Sequence, residues 1–126
     1  MVRRLLVGCM LLAFGAAYAY AAAPTPAARA EIEQLFAYLG KSGCEFFRNG
    51  DWHSAADARL HLKRKYDGLV QAGQIATAED FIARGASMSS ASGKPYLVRC
   101  SGGASEPSAR WLTDELQRIR QAGSKK

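Results

Sequence analysis

The chain holds only two histidines and three cysteines in 126 residues, with no Cys-x-x-Cys pair among them. Without that spacing the usual redox dithiol, in which one thiol lowers the pKa of the other, is not expected. Acids are scarce as well, 11 Asp and Glu against 17 Lys and Arg, for a formal net charge of +6 at pH 7. There is no internal repeat and no low-complexity tract beyond an Ala-rich start. No apolar run has the roughly 20 residues and charged flanks of a stop-transfer helix. Phosphate-loop and serine-hydrolase signatures fail on spacing. Ser92-Gly93-Lys94 resembles the end of a phosphate-binding loop, but Met88 stands where the leading glycine is required and Pro95 follows the lysine, so the amide cradle cannot form. The Ser-x-x-Lys arrangement of penicillin-binding proteins fails at Ala91.

What is present at the N-terminus is an export pattern. Arg3 and Arg4 precede an apolar run from Leu5 to Ala17, which fades into Ala19-Tyr20-Ala21 and then Pro24-Thr25-Pro26. Small residues at Ala19 and Ala21 suit signal peptidase, so residues 1–21 are expected to be a cleaved signal peptide. Residues 22–126 are then a single exported domain with no membrane span. Leu6-Val7-Gly8-Cys9 looks like a lipid-attachment site, but only two apolar residues separate Arg4 from Val7 and the run continues past the cysteine, so lipidation is not expected. Loss of Arg3 and Arg4 leaves 15 bases against 11 acids, a mature charge of about +4. A chain of roughly 105 residues supports one core.

Cys9 departs with the signal, leaving Cys44 and Cys100 in an oxidising compartment, where a structural disulfide is the expected state. Closing a loop of roughly 55 residues stabilises a small domain by about 4 kcal/mol in the chain-entropy account.

Periodicity predicts a first helix from Pro26, with Ile32, Leu35, Phe36 and Leu39 on its apolar side, ending at Gly40 or Gly43. Cys44 to Phe47 reads as a strand and Asn49-Gly50-Asp51 as a turn. A second helix is expected from about Ser54 to Ala72, burying Ala55, Ala58, Leu62, Tyr66 and Leu69. Thr77-x-x-Asp80 is a capping-box start for a short third helix with Phe81, Ile82 and Gly85. Ser87 to Lys94 forms a polar loop, Tyr96 to Cys100 a second strand and Ser101 to Pro107 another loop. A last helix, capped by Ser105 or Ser108, buries Trp111, Leu112, Leu116 and Ile119, and the tail from Gly123 is expected to fray. The expected class is α+β, four helices with a small two-stranded antiparallel sheet.

Several constellations invite a chemical reading. His53, Asp57 and His61 recur at four-residue intervals, but no Cys or Glu completes a ligand set, so no metal and no cofactor are expected. His61 is a boundary residue of the apolar stripe and His53 a solvent-exposed one. Lys63-Arg64-Lys65 is read as the solvated face of its helix, since Leu62 and Tyr66 mark the buried side; anionic lipid headgroups and cell-wall polymers suit such a cluster, while export excludes nucleic acid as a partner. Phe36, Phe46, Tyr66, Phe81 and Trp111 read as core. Trp52 fits equally a staple on the next helix or an exposed binding surface.

Strand register offers one composite surface. With Cys44 opposite Cys100 in an antiparallel pair, Glu45 faces Arg99, Phe46 faces Val98 and Phe47 faces Leu97, and a slip of one residue loses all of these pairings. One step further, Arg48 faces Tyr96, close enough for its guanidinium to lie against the ring or hydrogen-bond near it. Arg48 and Asn49 then meet the loop carrying Ser89, Ser90, Ser92 and Lys94. These seven residues, Arg48, Asn49, Ser89, Ser90, Ser92, Lys94 and Tyr96, are the candidate binding site for an anionic or sugar-like ligand. The competing account makes Asn49-Gly50 only a turn, has the serines bond their own loop, and packs Arg48 on Tyr96 to steady the sheet.

Four segments, Phe46-x-Arg48-Asn49-Gly50, Ala58-x-x-His61-Leu62, Thr77-Ala78-Glu79-Asp80-Phe81-Ile82 and Ser89-Ser90-x-Ser92-Gly93-Lys94-Pro95-Tyr96, give a chain that resembles the YfeK-like family of small exported bacterial proteins from Ile32 to about Leu116. The resemblance implies a Gram-negative periplasmic setting and no established activity, and it supplies no catalytic residues; the disulfide stands on the argument above. The leading expectation is a non-enzymatic periplasmic module that binds an envelope component or a protein partner. The alternative is a small hydrolase or transferase acting on cell-wall material, with His61 or a carboxylate as general base and the Ser89-Ser90-Ser92 loop contacting substrate. Mass spectrometry of the exported form should give an N-terminus at or near Ala22. A periplasmic form that retains Met1, or carries lipid on Cys9, contradicts the export reading.

Overall fold

The structure, a computed structural model, describes residues 22–125; the expected signal segment lies outside the described residues. Helix α1, Pro26–Lys41, begins where Thr25 accepts a hydrogen bond from the Ala28 amide and Pro26 presets the first turn. Its buried residues, Ala28, Ile32, Leu35, Phe36 and Leu39, recur at three- and four-residue steps. That stripe touches α2 (Ala55–Gln71), α3 (Ala78–Asp80) and α4 (Ser108–Ser124), so α1 is the helix around which the others gather. Phe36 is the aromatic hinge of this contact, with ring centroids 5.8 Å from Tyr66 and 5.0 Å from Phe81.

The sheet has four antiparallel strands rather than the two expected, in the order β2-β1-β3-β4. Strands β1 (Glu45–Arg48) and β3 (Leu97–Arg99) form its centre. Their register is the one the cysteines imply: Glu45 opposite Arg99, Phe46 opposite Val98 and Phe47 opposite Leu97. Strand β2, Asp51–His53, turns back from β1 through Asn49 and Gly50, both at positive φ (49° and 93°). Two such residues make the tight hairpin turn whose twist matches the strands. The turn is legible in the sequence, whereas the three-residue strand after it is too short to display an alternation. Strand β4, Glu106–Pro107, pairs with Leu97 and Val98. Its proline lacks an amide hydrogen, which is tolerated only at a sheet edge, so this segment reads from sequence as a loop.

Alternation along the strands gives the sheet two faces. Phe46 and Val98 point toward the helices and are buried, and Trp111 of α4 packs edge-on against Phe46 with centroids 5.5 Å apart. Trp52, Phe47 and Leu97 share the opposite, half-buried face, where Arg99 lies 3.8 Å over the Trp52 ring and pairs with Glu45. Trp52 therefore belongs to the sheet and does not staple α2.

Other boundaries follow local chemistry. Ser54 caps α2 by accepting from the Asp57 amide. Thr77 and Asp80 form the reciprocal capping box, and α3 continues into a π-helical turn, Phe81–Gly85, that buries Phe81 and Ile82. Neither Ser105 nor Ser108 caps α4. Strand β4 runs directly into the helix with Pro107 at the cap position, and Ser108 is buried with its amide donating to the Tyr96 carbonyl. The helix runs through Gly123 to Ser124. Arg120 joins three elements by pairing with Glu31 and Glu79. No helix among the described residues is long and apolar enough to cross a membrane.

Cys44 and Cys100 are bonded across a sequence separation of 56 residues, next to the first β1–β3 pair. Replacing both by alanine should lower stability in urea unfolding by about 4 kcal/mol, the loop-closure term released to the unfolded chain. A loss below about 1 kcal/mol would show that the pairing of β1 and β3 holds without the bond.

Candidate functional site

The end of β1, the middle of α2 and the loop before β3 meet around a groove of about 400 Å³, lined by Arg48, Asn49, His61, Arg64, Lys65, Ser89, Ser90, Ala91 and Tyr96. Arg48 is on the same strand face as Phe46, two residues on, and therefore points toward α2. His61, Arg64 and Lys65 occupy helix positions i, i+3 and i+4, one side of α2. The polar loop supplies the remaining wall, and Tyr96 enters from just ahead of β3.

A chain of hydrogen bonds runs through the groove wall. Arg48 Nη1 lies 3.1 Å from His61 Nδ1, His61 Nε2 lies 3.2 Å from Tyr96 Oη, and Lys65 Nζ donates to Tyr96 Oη at 3.3 Å and to the Met88 carbonyl at 2.7 Å. A guanidinium only donates, so His61 Nδ1 must be the accepting nitrogen and Nε2 must carry the proton. The imidazole is thus neutral. Burial, then the charges of Arg48, Lys65, His53 and Arg64, hold its pKa below the ordinary 6.5. Burial also lowers the Lys65 ammonium and raises the Tyr96 phenol, the latter partly offset by Arg48.

The residues singled out from sequence divide into two groups. Arg48, Asn49, Ser89, Ser90 and Tyr96 line one groove. Arg48 and Tyr96 are linked through the His61 ring, which is hydrogen-bonded to both. Lys94 does not line the groove, and its amide donates to Ser92 Oγ. Ser92 Oγ in turn donates to Asn49 Oδ1 at 2.7 Å, tying the loop to the β1–β2 turn. Ser89 is buried and accepts from the amides of Ala91 and Ser92, so it shapes the loop.

Arg64 and Lys65, read from sequence as a solvated face, belong to the groove, and so does His61. The signal was the spacing 61, 64, 65, which places all three on one helix side. What it lacked was any sign that β1 and the serine loop stand opposite. His53, Asp57 and His61 border a second, smaller cleft against Phe46 and Leu62. Among the described residues, no three His, Cys, Asp or Glu side chains are grouped to hold a metal ion.

Nitrogen-15 spectra should find His61 neutral at pH 7 with its proton on Nε2, titrating below 6.5. Arg48→Ala should raise that pKa; an unshifted wild-type value would contradict the bonded chain. Because the folded pKa is the lower one, the unfolded chain binds more protons in this range. The His61 contribution to stability is therefore full above pH 6.5 and is lost as pH falls from there through the folded pKa.

Over 62 residues the chain is 44% identical to a Salmonella typhimurium (strain LT2) protein named "Uncharacterized protein YfeK", a stretch covering 49% of this chain and 50% of that protein. The chain thus spans about half the length of this relative. No solved structure matches it. The profile of a family of unknown function, DUF5329, matches residues 26–120, from the start of α1 to the arginine that clamps α4 on α1, and the chain belongs to that family.

Proposed function

We propose that the chain is a non-enzymatic periplasmic binding module that holds an anionic envelope component in the groove between α2, the β1–β2 turn and the serine loop. One observation carries this reading: Arg48, Arg64 and Lys65 line the groove, and among the described residues no carboxylate lines it with them. None of the three forms an ion pair with a carboxylate among the described residues. A concave surface with uncompensated positive charge concentrates anions and strengthens contacts to them. The disulfide and the expected signal segment support export to the periplasm, where such polymers and headgroups lie.

Binding is favoured over hydrolysis by the state of His61. A general base needs a free lone pair within reach of substrate. His61 Nδ1 is taken by Arg48, and the Nε2 proton is directed at Tyr96. No carboxylate among the described residues lines the groove to take that role; Asp57 lies in the adjoining cleft with His53 and His61.

Co-sedimentation with isolated cell-envelope material at low ionic strength tests the reading. The Arg48→Ala, Arg64→Ala double variant should bind at least about tenfold more weakly, since each charge-assisted hydrogen bond contributes ~1.5 kcal/mol or more. Loss of the Arg48–His61 bond should lower its melting temperature, so Arg64→Ala alone, which should weaken binding at a wild-type melting temperature, separates binding from stability. Equal sedimentation of the two proteins would remove the groove as the binding surface.

A further inference from the structure

We propose, resting on the binding reading above, that the groove selects a phosphate monoester carried on a sugar, its dianion seated among Arg48, Arg64, Lys65 and the Tyr96 hydroxyl. Tyr96 Oη accepts from His61 Nε2 and from Lys65 Nζ, so both of its lone pairs are engaged. Its own proton must point elsewhere, and Tyr96 borders the groove. The phenol is thereby fixed as a donor. The state of His61 enforces this polarity, because an imidazole accepting from Arg48 has no choice but to donate to Tyr96.

Nearly every other group on the wall has the same polarity. Arg48 spends one N–H on His61, and its other guanidinium hydrogens are donors. Lys65 spends two donors on Met88 and Tyr96 and has a third. Asn49 uses its carbonyl oxygen to accept from Ser92, which leaves its amide hydrogens to face a ligand. A neutral sugar, whose hydroxyls both donate and accept, would leave its donors unmatched on such a wall. An acceptor-only group matches it.

Charge and size narrow the class. A carboxylate brings one charge and two coplanar oxygens, which suits one arginine fork. A phosphate monoester brings −1.5 to −2 at neutral pH and three terminal oxygens, roughly what three cations and a phenol donor can neutralise. The volume of about 400 Å³ falls in the range of small-ligand pockets and exceeds what a bare phosphate fills. Ser90 and the Asn49 amide, on the wall next to the cations, are left for sugar hydroxyls.

Calorimetric titration of the exported form with glucose 1-phosphate, glucuronate, inorganic phosphate and glucose decides the class. Glucose 1-phosphate should bind at least tenfold tighter than glucuronate, with inorganic phosphate weaker than its ester and glucose silent. Arg64→Ala, a surface change on α2, should weaken the ester about tenfold, and amide shifts on adding the ester should centre on Asn49 and Ser90. A phosphoglycolipid in detergent micelles should bind within a few-fold of the soluble ester if the headgroup is what is recognised. Binding of the glycolipid without the soluble ester would overturn the proposal, as would glucuronate binding equally well; in both cases groove-dependent envelope binding would still stand. Silence from every anion together with unchanged sedimentation of the double variant would overturn the binding reading as well.

Discussion

The pairing of β1 with β3, closed at one end by the Cys44–Cys100 bond, is the constraint on which the rest of the molecule depends. Side chains alternate along a strand, so one register decides everything the two strands present. In the register observed, Phe46 and Val98 enter the core and seat Trp111, while Phe47, Leu97 and Trp52 take the other face. The same parity turns Arg48 toward α2. Shifted by one residue, it would send Arg48 to the outer face and break the bonded chain at its first member. Stability and the candidate site thus share one determinant, although the bond lies at the opposite end of β1 from Arg48.

The second organising contact is the neutral His61 between Arg48 and Tyr96. A histidine among cations is held neutral, since both burial and neighbouring charge oppose its protonated form. It is retained in the neutral state by the hydrogen bond it accepts, and the bond it donates passes that polarity to the tyrosine. Concentrating Arg48, Arg64 and Lys65 on one wall without a lining carboxylate runs against the usual interspersing of surface charge. Four cations elsewhere are paired with carboxylates: Lys63 with Asp67, Arg99 with Glu45, Arg118 with Glu115, and Arg120 with two glutamates. What singles out the groove is that three cations share one concave wall that no carboxylate lines among the described residues.

Much of the fold was legible because its signals are local. The i, i+3, i+4 pattern of Ile32, Leu35, Phe36 and Leu39 marks α1, and the side chains of Thr77 and Asp80 announce the start of α3. Strands β2 and β4 were not legible. Asp51–His53 is shorter than any alternation that could reveal it, and Glu106–Pro107 contains the residue that strand propensities reject. Both exist because β1 and β3 offer them edges to pair with. The cap of α4 was misplaced for the same reason, since β4 delivers the chain straight into the helix.

By itself the sequence determined the helix faces, the Asn49-Gly50 turn and the β1–β3 register, all of which follow from periodicities and pair complementarity within a few residues. Family membership over residues 26–120 is likewise written in the order of its amino acids. Only the tertiary structure decided that His61 links Arg48 to Tyr96, that Lys65 joins them, and that Lys94 stays off the groove wall. A basic run on a helix has the same sequence whether it faces water or a groove. The difference is made by what packs opposite it, and here that is a strand end and a loop brought from 13 and 35 residues away from His61.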